Sequence, residues 1–390
     1  MGKIDHDAVL RARVLLLGSG RLSTLEKVHA YRVLAEVSPK AYLPKLVDAL
    51  LSLSYESRVR EARLALAAEA VGAGRRMEAD APKRAERLCG ALDAYQRALF
   101  ALGRRAEGRA VCEELAEAGQ RGRLASLLAE EGRFLEAAQL NEKTVRDRKP
   151  EHSFWNMVEW AANLEGAGLH DAASAVFREL LDETRRKAVG QNTSLAILTW
   201  ELIHLSRMFE TAGRGPDSAA TRREALTVLE ELATTGEPKS WSCVLAWWVT
   251  LFTLSGRADE PAASAESPMP PFGTDLGWSS DVRDAFLGTL PELEGEAAEL
   301  RKTGRIPELV DVQRRITLRV AIREGNRHHR FEERFGPYFD EGVTLARRLP
   351  DDPARLTRAL TDRSMFLVAA ANFGPAHADF SEVVALLDAR

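Results

Sequence analysis

A Gly-Arg dipeptide recurs along this 390-residue chain, and its flanks constrain the fold more than any other feature. It stands at Gly20-Arg21, Gly103-Arg104, Gly132-Arg133, Gly213-Arg214, Gly256-Arg257 and Gly304-Arg305. Gly168, followed by Leu169, is the same kind of turn. Glycine suits the residue just past a helix end, where a positive φ is often needed. Eleven, eight and four places before four of these turns stand large apolar residues. They are Leu92, Tyr95 and Leu99; Met157, Trp160 and Leu164; Leu202, Leu205 and Phe209; and Leu245, Trp248 and Phe252. Those offsets share one helical face. Before Gly132 the last two places hold Leu124 and Leu128. Five places after three turns come Gly108, Ala137 and Ala173, all small, so the following helix can approach closely.

The clearest unit runs from Ser153 to Leu180, where Phe177 plugs the gap between two amphipathic helices. It resembles the tetratricopeptide repeat (TPR), a helix-turn-helix module that stacks into a superhelix. Successive turns from Gly103 onward lie 29, 36, 45, 43 and 48 residues apart. The standard repeat is about 34 residues, so these units are degenerate. The resemblance covers 83–215 most closely. It implies an all-α fold: an α-solenoid of TPR-like helix-turn-helix repeats forming a right-handed superhelix. No segment shows the alternation of a strand.

Residues 1–54 read as an N-terminal helical cap with helices near 5–18, 22–37 and 41–54. The repeat array spans 55–257 and opens with a long helix over 55–77. At 258–281 the helical period stops in a Pro/Gly-rich stretch, which reads as a linker or a functional insertion. Limited proteolysis is expected to cut there first. TPR-like helices resume over 282–390, with a long helix at 307–324 and another at 339–349. The last pair, 355–387, spaces Ala376 and Phe380 as Ala173 and Phe177 are spaced.

Hydrophobic residues make up 45% and charged residues 29%, which supports a folded core rather than global disorder. A net charge of −4 gives no electrostatic footprint for a nucleic-acid partner. A helix-turn-helix reader at 24–46 is disfavoured by Pro44 inside its second helix. Cys89, Cys112 and Cys243 have no metal-ligand spacing, and no cofactor is expected. His328 and His329 are adjacent, so on a helix they point about 100° apart and cannot chelate together. No nucleophile elbow, Walker loop or zinc motif is present, and no catalytic residue is expected. No signal core or membrane span is evident, so the chain is expected to be cytoplasmic.

Trp155 and Trp200 each stand thirteen places before a turn glycine, nearly opposite the packing face. Seven residues beyond Trp200 stands Arg207, whose counterpart in an earlier unit is Arg97. In the repeat family this side of the first helices lines a concave groove. The resemblance thus implies a groove of Arg97, Phe100, Trp155, Val158, Trp200, Ile203 and Arg207. The alternative is that the two tryptophans pack between units. The family's carboxylate clamp is not expected, because Asp93, Arg97 and Ala162 stand at its places. The implied function is a non-enzymatic scaffold for a protein or peptide partner; the alternative is a signal-peptide-responsive regulator of the bacterial TPR receptor type. A homo-oligomer is left open.

Overall fold

The computed structural model describes residues 5–18, 22–147, 154–189, 194–237, 244–273, 277–324 and 331–389. Gly20-Arg21, Cys243 and His328–Arg330 lie outside these. The described residues are α-helical throughout, apart from turns, loops and short 3-10 turns, with no strand among them. They form two compact units, Met1–Leu127 with Ser279–Asp281, and Leu128–Trp278 with Val282–Arg390. The division falls inside the expected 55–257 array rather than at the Pro/Gly-rich stretch.

The first unit comprises α1 (His6–Leu17), α2 (Thr24–Val37), α3 (Pro39–Glu56), α4 (Arg60–Arg76), α5 (Arg84–Ala101), α6 (Arg105–Glu117) and most of α7 (Gly122–Glu130). Local chemistry starts the early helices. Asp5 caps α1, and Ser23 with Glu26 forms a reciprocal capping box on α2. Pro39 opens α3, where its missing N–H leaves no helix bond unmade; Pro44 sits inside the same helix. From α1 to α6 each helix packs on the next, and α3 also meets α5. Leu43, Val47 and Leu50 of α3 bury against Ala70 and Val71 of α4 and Leu92 and Leu99 of α5.

The second unit begins with α8 (Phe134–Asp147), α9 (Phe154–Gly166), α10 (His170–Val189), α11 (Leu195–Thr211), α12 (Gly215–Thr235) and α13 (Val244–Gly256). It continues with most of α14 (Ser280–Gly288), then α15 (Leu290–Thr303), α16 (Ile306–Glu324), α17 (Phe331–Ala346), α18 (Pro353–Ala369) and α19 (Phe373–Asp388). Here sequential packing is not the whole story. Helix α19 lies against α12, and α13 is central, touching α11, α16 and α18. The sequence of α13, VLAWWVTLFTLSG, is apolar on every side, as a fully enclosed helix must be. Its Trp248 is wholly buried among Phe252, Phe335, Phe339 and Phe366.

The turn glycines behave as their spacing predicts. Gly103, Gly132, Gly168, Gly213 and Gly304 all have φ between 69° and 76°. At each, the next N–H reaches back to the carbonyl four places before the glycine: Leu99, Leu128, Leu164, Phe209 and Leu300 accept. This is the Schellman closure, which satisfies a carbonyl the helix end would otherwise orphan. The same closure occurs before α19, where Ala371 takes φ 59° and Asn372 N–H donates to Leu367. Ala137, Ala173 and Ala376 are fully buried at their small places, and a Cβ on Gly108 would meet the Phe100 ring at 2.9 Å. Gly256 is the exception. Its φ is −89°, and an added Cβ would lie 2.2 Å from the Leu318 side chain, so it serves the close approach of α13 and α16.

The Pro/Gly-rich stretch is exposed around 261–267 and anchored at both ends. Glu260, Phe272 and Trp278 are buried. Phe272, Trp278 and Phe286 form a set of edge-to-face rings, and Met269 N–H donates to Glu130 O at 2.9 Å. Gly273 exchanges hydrogen bonds with the Thr253 hydroxyl.

Candidate functional site

The residues of the expected groove fall in two units. Arg97 and Phe100 belong to the first unit, whereas the other five residues belong to the second. Arg97 is exposed and pairs with Asp93 at 3.0 Å. Phe100 is buried, with Arg105 and Arg123 near its ring. Val158 is buried in the second core. Trp155 is half-buried and stacks on Trp247 with centroids 4.6 Å apart. Trp200 has no exposed surface, and its Nε1–H donates to Met365 O at 3.0 Å. Helix α12 and helix α13 pack along α11, and Met365 of α18 closes over the indole. Phe100, Val158 and Trp200 therefore line no open groove.

Ile203 and Arg207 do share a site. They line a cavity of about 240 Å³ within the second unit, bounded by α11, α12, α13, α16, α18 and α19. Its apolar wall comes from Ile203, Leu251, Met365, Phe380, Val383 and Leu387. Its polar wall carries four arginines, Arg207, Arg222, Arg314 and Arg358, with Glu210 and Asp362 as the carboxylates. Ser206, Ser255, Thr357 and Thr361 add hydroxyls, and His204 adds an imidazole.

These arginines are not equivalent. Arg314 donates to Asp362 at 2.6 Å and to Ser255 Oγ at 2.7 Å, and also contacts Asp259. Burial alone would lower its pKa, but Asp362 and Asp259 hold it raised. Arg358 donates to Asp259 at 3.1 Å and to Asp311 at 2.6 Å. Beside them Arg355 holds Asp311 and Asp352, while Arg315 and Arg319 hold the buried Glu260. Arg314, Arg315, Arg319, Arg355 and Arg358 thus face Asp259, Glu260, Asp311, Asp352 and Asp362, a balanced network.

At the other end the balance tips positive. Arg207 and Arg257 converge on Glu165 at 3.2 and 3.5 Å. Arg222 donates to Ser218 Oγ at 2.6 Å and stands 3.7 Å from Glu210, which is largely exposed. Three cations here meet two carboxylates. The Nε atoms of Arg207 and Arg222 are buried with no hydrogen-bond partner among the described residues; Glu165 Oε1 is likewise unpartnered, but does not line the cavity. Burial, with Arg207 and Arg257 nearby, pushes the His204 pKa well below its ordinary value. Burial also lowers Arg257, against the pull of Glu165 and with the push of Arg207. His204 is accordingly neutral in this surrounding.

The balanced network escaped sequence reasoning, although a signal was present. Arg314, Arg315 and Arg319 stand on α16 among the apolar residues from Leu309 to Ile322, and Asp259-Glu260 opens the Pro/Gly-rich stretch. Arginines on an enclosed helix require acids nearby, because buried charges must be paired. No protein-family model matches the chain, and no curated protein is significantly similar to it. Among the described residues no helix is long and apolar enough to cross a membrane.

Proposed function

We propose that this chain is a non-enzymatic recognition protein built from TPR-like helix pairs, and that its ligand enters the cavity of the second unit. The repeated Schellman turns with a small residue five places on support the TPR-like reading of the pairs. The observation that carries the functional reading is the cavity itself. It joins an apolar wall to the side chains of Arg207, Arg222, Arg314 and Arg358. A few convergent polar groups on an apolar pocket are what a small-ligand site requires.

Its volume suits a short peptide or a small molecule rather than a long extended partner. This favours the ligand-responsive regulator over the open-groove scaffold. The ligand would bridge α11–α12 to α18–α19, pairs that are distant in the chain and meet through α12 and α19. Occupancy would then stabilise that contact, and a protein partner would read the result. The test is equilibrium dialysis of the protein against a small-molecule and short-peptide extract of the producing cells, with retained species identified by mass spectrometry. The comparison is Val383→Trp, which fills the cavity. Species retained by the native chain and lost from Val383→Trp support the reading. Equal retention by both chains, or none by either, overturns it.

A further inference from the structure

The charge distribution around the cavity says more about its ligand. We infer that the cavity takes a small amphipathic monocarboxylate, with its carboxylate on Arg207 and Arg222 and its apolar part against Leu251, Met365 and Phe380. This rests on the cavity being the recognition site. Arg314 and Arg358 are excluded as the primary anchors because Asp259, Asp311 and Asp362 already neutralise them. Arg207 shares Glu165 with Arg257, and Arg222 has only the largely exposed Glu210 as its acid, 3.7 Å away. Guanidinium donors match a carboxylate in geometry as well as charge.

The sign and size of the charge follow from the same cluster. Arg207, Arg222 and Arg257 exceed Glu165 and Glu210 by one positive charge. One carboxylate restores balance, whereas a dianion would overshoot it. A cationic ligand would face the arginines directly. The depressed pKa of His204 agrees, since it reflects burial and the potential of two neighbouring guanidinium groups. The apolar wall sets the rest: a ligand without an alkyl or aryl group would leave Met365 and Phe380 facing water.

The shared chemistry, an apolar group ending in a carboxylate, has two sources: a free organic acid or the C-terminus of a short apolar peptide. Titration calorimetry with four probes separates them: octanoate, octanol, acetyl-Leu-Leu with a free carboxylate, and its C-terminal amide. The expected result is saturable one-to-one binding of a carboxylate probe, at least about tenfold tighter than its neutral partner. Stronger binding of octanoate assigns a free acid, and stronger binding of the dipeptide assigns a peptide end. Arg222→Gln should weaken the carboxylate probe by about tenfold while leaving octanol unchanged. Arg207→Gln is the second variant, with its melting curve recorded because Glu165 then keeps only Arg257. If octanol and the amide bind as tightly as the acids, or Arg222→Gln changes nothing, the carboxylate assignment falls while the cavity reading stands. If no probe binds, the inference falls, and the dialysis comparison with Val383→Trp decides the cavity reading separately.

Discussion

In the first unit, Arg32–Glu69, Arg75–Glu114 and Arg76–Glu36 join helices two apart in sequence, and every one of these side chains keeps more than a third of its surface in water. In the second, Arg314–Asp362 and Arg319–Glu260 are at most a tenth exposed. The same pairing chemistry is used with opposite stakes. Exposed pairs gain little, because water already solvates both ions and salt screens them. Buried pairs do not make a domain more stable than apolar packing would, but losing one partner strands the other. The first unit stacks chiefly neighbour on neighbour, so its charges remain outside. The second brings α16 and α18 over α13, and the acids and arginines between them are enclosed together.

The largest expected difference concerns tryptophans. Trp200→Ala should cost about 3–5 kcal/mol through the cavity left in the second core. The Met365 carbonyl would lose its donor as well, at about 1 kcal/mol. Trp155→Ala, which removes a half-buried stack on Trp247, should cost about 1–2 kcal/mol. Chemical denaturation of both variants checks this. Equal midpoints would mean that Trp200 is not enclosed as described.

That contrast also marks what the sequence could reveal. The turn glycines, the small places after them and most helix bounds were legible because each rests on local geometry. The expected helix at 307–324 lies at Ile306–Glu324, and the pair at 355–387 is α18 and α19. The offset rule that put Trp200 in a groove assumed that only sequential helices touch α11. Thirteen of the seventeen residues of α11 are buried, and its run LAILTWELIHL is apolar on nearly all sides. Such a helix has no face left for water. The residue that caps the Trp200 indole, Met365 of α18, lies 165 residues further on, and no local pattern encodes that contact. The cavity was illegible for the same reason. Of the predicted residues only Ile203 and Arg207 line it, and Arg222, Arg314 and Arg358 arrive from other helices.

The second comparison tests the charges. Arg319→Met keeps the volume over the Phe286 ring, where the guanidinium now sits 3.9 Å from the centroid. It leaves Glu260 with Arg315 alone, in a fully buried place. A loss of about 3 kcal/mol is expected. Arg76→Ala in the first unit breaks an exposed pair and should cost under about 1 kcal/mol. Raising the salt concentration to 1 M should erase the Arg76 effect and leave the Arg319 effect nearly intact. A strong salt dependence of the Arg319 loss would show that water reaches Glu260.

A further effect is the one that pH reveals. Glu201 is fully buried on α11, and burial pushes its pKa up to about 8, opposed by Thr184, Lys187 and Arg185. Its ordinary value is 4.5, so the folded chain binds the proton more tightly than the unfolded chain. The associated stability is fully present below pH 4.5 and is lost as pH rises through about 8. Within that window the slope is roughly 1.4 kcal/mol per pH unit. Glu201→Gln removes the titration, and should stabilise the protein by roughly 3 kcal/mol at pH 7 while changing little at pH 4.5. His204, one turn away, has the opposite sign: its pKa is depressed, so its contribution is present above 6.5 and lost as pH falls. The difference between native and Glu201→Gln melting curves isolates the carboxyl, because His204 is common to both. A difference that stays flat from pH 5 to 8 would mean that Glu201 is ionised and paired in the folded chain.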